Sequence, residues 1–195
     1  MSHIQNEDIL SYISKKDQVL DLGCGEGDLL ELLRDKKSID GYGIEKDPGN
    51  VMNCIQKGLS VFHGDIQEGL SQFPDQSFDT VILSQTLQQV QNPLEVIHEM
   101  CRVGKVAIVT FPNFAHWKTR FQLLKGIIPK SDALPYEWYN TPNIRVVSIK
   151  SFKRICKKEK IRILHQKAFS STKRLALPLL HNLCGQRALF VIKKE

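Results

Sequence analysis

Short apolar stretches alternate with segments whose apolar residues recur every three or four positions along most of this chain. Runs of four to eight residues rich in β-branched side chains read as strands, and a 3.6-residue recurrence reads as helix. Strands are expected at Val19–Leu22, Gly41–Glu45, Leu59–His63, Phe78–Ser84 and Val106–Phe111. A helix over Asp28–Arg34 separates the first two. Asp47 and Pro48 open the next as N-cap and first-turn proline, with Val51 and Ile55 predicted on one face and Gly58 at the stop. Asn92, Pro93 and Glu95 form a cap, a first-turn proline and a capping-box acid ahead of Leu94, Ile97 and Cys101. Towards the end, a helix over Ser151–Lys160 precedes strand-like Ile161–Ala168 and Ala188–Lys193. Such alternation predicts an α/β domain, a parallel sheet with helices on both faces.

The rhythm breaks between Pro112 and Ile149. This segment is rich in aromatics and prolines (FPNFAHWKTR, LPYEWYNTPN) and offers at most one strand, Ile144–Ile149. A long irregular segment after a sheet strand is more often a lid or binding loop than filler. The expectation is one domain over 1–195, with 112–149 as a lid or substrate-side insertion.

Charge sharpens the picture. Residues 1–144 carry 13 Lys and Arg against 19 Asp and Glu, and residues 145–195 carry 14 against 2, so −6 and +12 make up the net +6. The simplest reading of Lys153, Arg154, Lys157, Lys158 and Lys160 is the solvated face of one helix. No aromatic interleaving or RNA-binding motif accompanies the charge, so nucleic acid is not the expected partner. The five cysteines, Cys24, Cys54, Cys101, Cys156 and Cys184, form no CxxC pair or His/Cys cluster, which argues against zinc and a disulfide framework. The longest apolar stretch, Val106–Phe111, falls far short of the roughly 20 residues that span a bilayer. MSHIQNEDIL lacks the basic flank and apolar block of a signal peptide, so a cytoplasmic location is expected.

Candidate chemistry gathers at VLDLGCGEG, Val19–Gly27. Gly23, Gly25 and Gly27 follow the first strand directly, where missing side chains allow a sharp turn and close ligand approach. The spacing is not the GxGxxG of dinucleotide sites, since Asp28 follows Gly27, and no GxxxxGK[ST] is present. Asp21 before the turn suits a cationic amine, and Glu45 ending the second strand suits the hydroxyls of a ribose. Backbone N–H groups of the turn suit a carboxylate. Asp65, after the third strand, suits an adenine amino group, with Ile66 against the ring. Amine, carboxylate and adenosine together describe S-adenosyl-L-methionine, with S-adenosylhomocysteine as its product form.

VLDLGCGEG, the strand-two acid and FDTVILSQTLQQV resemble the class I S-adenosylmethionine-dependent methyltransferases. Over nearly the whole chain, PNFAHWKTR and PYEWYNTPN make it similar to the methionine biosynthesis protein MetW family, a narrower match. That resemblance implies a Rossmann-like three-layer sandwich with a mostly parallel seven-stranded sheet, and a role beside homoserine O-acyltransferase. Carried onto this sequence, the cofactor-binding positions are Asp21, Gly23, Cys24, Gly25, Glu45, Lys46, Asp65, Ile66, Ser84 and Gln85. No metal site is expected.

Methyl transfer needs an aligned nucleophile and often a base. The Asp/Asn-Pro-Pro-Tyr run of base methyltransferases and a Pro-Cys nucleophile are both missing. His116 is the best-placed candidate base, with Tyr136 and Tyr139 as further catalytic candidates. Arg120 and Arg145 are candidates to clamp a substrate carboxylate or to pair with Glu137 or Asp132. Two functions follow: a subunit that binds S-adenosylmethionine and activates homoserine O-acyltransferase, or a methyltransferase acting on a small metabolite or protein acceptor.

Overall fold

Alternate residues of the central strands point to opposite faces of one sheet, and each face buries its own apolar set. The computed structural model describes residues 3–68, 70–170 and 173–195. Its strands are β1 (Gln18–Leu22), β2 (Asp40–Glu45), β3 (Ser60–His63), β4 (Phe78–Ser84), β5 (Gly104–Pro112), β6 (Ile161–Phe169) and β7 (Arg187–Lys194). They form one seven-stranded sheet in the order β3-β2-β1-β4-β5-β7-β6. β1 to β5 run parallel, whereas β7 is antiparallel to both β5 and β6.

The helices are α1 (His3–Leu10), α2 (Asp28–Lys37), α3 (Pro48–Gln56), α4 (Pro93–Val103), α5 (Trp117–Leu124), α6 (Ile149–Lys158) and the short α7 (His181–Cys184). On one face of the sheet, Leu20, Leu22, Val81, Leu83 and Val109 pack with Ile97 and Met100 of α4 and with Phe152 and Cys156 of α6. On the other, Val19, Ile82, Ile108 and Leu189 meet Ile9 of α1, Leu29 and Leu33 of α2 and Cys54 of α3. This is a three-layer α/β sandwich with a mostly parallel seven-stranded sheet, the architecture that the resemblance to class I methyltransferases implies. No described helix is long and apolar enough to cross a membrane.

Every expected strand but Ile144–Ile149 is present. Residues 141–148 are irregular, and Ile149 instead opens α6. Ser148 caps that helix and exchanges side-chain bonds with Ser151, a capping box that starts α6 two residues earlier than expected. Two other local expectations need correction. Asn92 makes no side-chain cap, because its φ of −114° and ψ of 69° lie outside the extended cap geometry. The Gln91 and Asn92 N–H groups are given to Gln67 Oε1 instead. In α3, Cys54 is fully buried and Ile55 is 55% exposed, so Val51 shares its inward face with the residue three positions on. Asp47 does cap α3, its Oδ1 accepting the Asn50 N–H at 3.0 Å. The segment 112–149, expected to be irregular apart from Ile144–Ile149, contains α5, whose Trp117 and Phe121 are half exposed.

Strand order reverses at β1, which lies between β2 and β4. Beyond the carboxyl ends of such neighbours no helix covers the sheet, and a crevice opens there.

Candidate functional site

The crevice is a cleft of about 300 Å³ lined from the ends of β1, β2, β3 and β4. That volume is at the lower end of the usual small-molecule range. Gly23, Gly25 and Gly27 all have left-handed φ, +68°, +57° and +81°. Their roles differ. A Cβ on Gly25 would meet nothing within 4 Å, so this residue presents bare backbone to open space. A Cβ on Gly27 would meet Leu59 Cδ1 at 2.5 Å and Cys54 Sγ at 2.9 Å, so the third glycine serves packing.

Most N–H groups of the turn are already engaged. Those of Gly23 and Cys24 go to the Ile44 carbonyl, and that of Gly27 to the Cys24 carbonyl. Gly25 donates to Glu45 Oε2 at 2.9 Å. These bonds, to β2 and within the turn itself, are what fix the turn.

Glu45 is buried at the end of β2. Its Oε1 accepts the Lys46 and Asp47 N–H groups at 3.0 and 2.9 Å. A carboxylate oxygen has two lone pairs, so Oε1 is filled and Oε2 keeps one position. That position is free to accept a hydroxyl. Asp21, only 2% exposed near the end of β1, lies behind the cleft lining and not in it, and its Oδ1 has no hydrogen-bond partner. Burial, followed by the charge of Glu45, pushes its carboxyl up to about 7. A cationic donor would relieve both penalties at once.

Lys46, Asp65, Ile66, Ser84 and Gln85 line the cleft as expected positions. Asp65 Oδ1 accepts the Gln67 N–H at 2.9 Å, and Ser84 Oγ lies 3.2 Å from Thr110 Oγ1. Gln85 turns the chain with a φ of +57°, both its N–H and its Nε2 donating to Thr110 Oγ1. Cys24 does not line the cleft. Its thiol is buried in the core, pushed up by burial and then by Asp21, and sits where a side chain on Gly43 would be. Asn50, Thr86 and Gln89 are cleft residues that the sequence did not single out. Their signal was position alone, one helical turn after Asp47 and directly after β4.

The candidate catalytic residues lie elsewhere. None of His116, Tyr136 and Tyr139 lines the cleft. His116 is 5% exposed, its ring against Trp117 at 5.8 Å. Burial, then the Lys118 charge, lowers its pKa. Tyr136 lines a separate groove formed largely by residues 114–146, and Tyr139 is 70% exposed. Neither arginine pairs as suggested. Arg120 Nε donates to the Ala115 carbonyl and Arg145 Nη2 to the Gln91 carbonyl, while Glu137 pairs with Lys130 and the Asp132 carbonyl accepts from Arg187.

Residues 4–192 match the family model of the methionine biosynthesis protein MetW. The chain belongs to the MetW family. A bifunctional methionine biosynthesis protein MetXA/MetW of Rhodopirellula baltica is 39% identical over 157 residues, 75% of this chain and 25% of that protein. This MetW chain thus spans about a quarter of the length of that relative. Demethylmenaquinone methyltransferase of Listeria welshimeri is 26% identical, over 67% of this chain and 63% of the relative. A S-adenosylmethionine-dependent methyltransferase structure from Archaeoglobus fulgidus superposes with a TM-score of 0.71 over 98% of this chain and 92% of that one. At 19% identity, that likeness speaks for the fold alone.

Proposed function

We propose that this MetW-family chain binds S-adenosylmethionine in the β1–β4 cleft and acts with homoserine O-acyltransferase in methionine biosynthesis, raising its activity. The observation that carries the cofactor reading is Asp21: a buried carboxyl with an unpartnered oxygen, directly behind the cleft and beside a turn whose Gly25 leaves open space. A ligand with an ammonium group satisfies Asp21, and its ribose supplies a hydroxyl to Glu45 Oε2. Asp65, Ile66 and Gln85 are left for the adenine. The bound cofactor carries a transferable methyl on a sulfonium.

Two observations support the helper reading over methyl transfer. His116, Tyr136 and Tyr139 do not line the cleft, so no candidate base stands at the cofactor. In the Rhodopirellula baltica relative, a MetW part shares one protein with a MetXA part. Binding the cofactor would make such a helper a sensor, since a ligand shifts a complex by its difference in affinity between the two states.

The test is to purify the chain with and without the homoserine O-acyltransferase of the same organism and to assay acyl transfer over a range of S-adenosylmethionine concentrations. Co-purification with a raised acylation rate is expected. If the two proteins neither associate nor alter each other, the helper reading is wrong. Methyl transfer to a small metabolite or protein acceptor then becomes the reading to pursue.

A further inference from the structure

Three shallow grooves outside the cofactor cleft share lining residues and run into one another. The first, about 200 Å³, lies in the lid among Ile128, Tyr136 and Trp138. It shares Arg145 and Val146 with a second, about 260 Å³, between Leu94 and Ile97 of α4 and Phe152 and Ile155 of α6. The second shares Ser151 and Arg154 with a third, about 560 Å³, bordered by Lys150, Lys153 and Lys157. The result is one continuous track, aromatic at the lid end and cationic along α6.

The apolar stretch of the track and its cationic end are both poorly satisfied in water. Val146 is 76% exposed and Trp138 70%. An apolar surface of this kind marks an interaction site more often than a solvent face. Around α6, Glu159 pairs with His98 and Lys158. Lys150, Lys153, Arg154 and Lys157 have no carboxylate partner among the described residues. Like charges one turn apart on a helix repel.

We propose that this track is the surface on which the acyltransferase docks, through a face that offers apolar side chains to Trp138, Val146 and Leu94 and carboxylates to Lys153, Arg154 and Lys157. The inference rests on the helper reading given above. The MetXA part joined to MetW in the Rhodopirellula baltica relative points to this occupant, and charge argues against two others. A second copy of this chain, paired two-fold about the track, would set the same cations against each other. A nucleic acid would neutralise the α6 end but leave Ile128, Leu94 and Val146 in water.

The experiment uses the full chain and the purified acyltransferase of the same organism, with affinity measured by calorimetry. Arg154→Glu combined with Lys157→Glu reverses the cationic end, and Val146→Asp breaks the apolar middle. Lys15→Glu combined with Lys36→Glu makes the same charge change outside the track. Each track variant is expected to weaken association roughly tenfold or more, the control to stay within about twofold, and all to bind S-adenosylmethionine like the wild type. If the wild type binds the acyltransferase and the track variants bind it equally well, the docking surface is elsewhere and the helper reading stands. If the wild type does not associate, both fall. A track variant that instead loses a steeply salt-dependent RNA affinity would overturn the proposal in favour of a nucleic-acid surface.

Discussion

Gly25 and Glu45 are joined by a 2.9 Å hydrogen bond across 20 residues of sequence, the glycine N–H donating to Oε2. The same carboxylate holds the Lys46 and Asp47 N–H groups, so one side chain ties the β1–α2 turn to the β2–α3 turn. The cleft between those turns is therefore shaped by a group that also lines it.

Glu45→Ala should lower affinity for S-adenosylmethionine by about 1–3 kcal/mol and destabilise the protein by a similar amount, since three N–H groups lose their acceptor. Calorimetric titration and urea unfolding measure the two separately. Unchanged affinity in a folded variant would remove Glu45 from the ribose site.

The glycines separate binding from stability. Gly25→Ala has room for its methyl and should cost only about 1–2 kcal/mol for its left-handed backbone, yet obstruct the cleft. Gly25→Val should obstruct it further. Gly27→Ala forces Leu59 and Cys54 apart and should cost about 2–4 kcal/mol, with its effect on the cleft following from the shifted turn. Thermal melts set beside cofactor titrations distinguish the two patterns. A Gly25→Val protein that binds normally would mean that the ligand does not lie against this turn.

Asp21 carries a pH dependence whose sign is fixed by its environment. Its folded pKa, about 7, stands above the unfolded carboxylate value, so the folded state binds the extra proton. Asp21 thus favours folding most below the unfolded value, and that contribution is lost as pH rises through about 7. Asp21→Asn, which removes the buried charge, should stabilise the ligand-free protein by about 2 kcal/mol at pH ~8 and hardly at all at pH ~4. An ammonium ligand prefers the ionised carboxyl. Its binding near pH ~6 should therefore release a proton, seen as a buffer-dependent heat in the wild type and absent in Asp21→Asn.

The Gln88 carbonyl accepts the Ile144 and Arg145 N–H groups, both at 2.9 Å, and Gln88 Nε2 donates to the Gln85 carbonyl at 2.6 Å. Arg145 lies on the docking track and Gln85 on the cleft, so the two surfaces are two hydrogen bonds apart. Saturating S-adenosylmethionine should shift the dissociation constant of the acyltransferase by about fivefold or more, and the acyltransferase should shift that of the cofactor by the same factor. Titration in both orders checks the reciprocity. Equal constants with and without the second ligand would mean that this route transmits nothing.

Much of this arrangement was legible from local pattern. Strands announce themselves by apolar runs, and Asp21 and Glu45 stand at strand ends where a parallel sheet opens its crevice. What stayed hidden depends on partners far along the chain. Cys24 turns inward because Gly43, on the neighbouring strand, leaves space for its sulfur. Asn92 fails as a cap because its backbone leaves the extended cap geometry, in a turn whose N–H groups are held by Gln67, 25 residues upstream. The engagement of the turn's N–H groups by β2 is likewise invisible until the pairing Leu22↔Ile44 is known. His116 carried a suggestive sequence context, but nothing local reveals that the cleft forms without it.

The insertion of β7 between β5 and β6 bears on synthesis at the ribosome. Until Arg187–Lys194 has emerged, β5 has an open edge and β6 has no neighbour in the sheet. A nascent chain held at that stage displays unpaired strands, which are templates for pairing with other chains. A premature stop near residue 187 should therefore yield an aggregating product and not a shorter working domain.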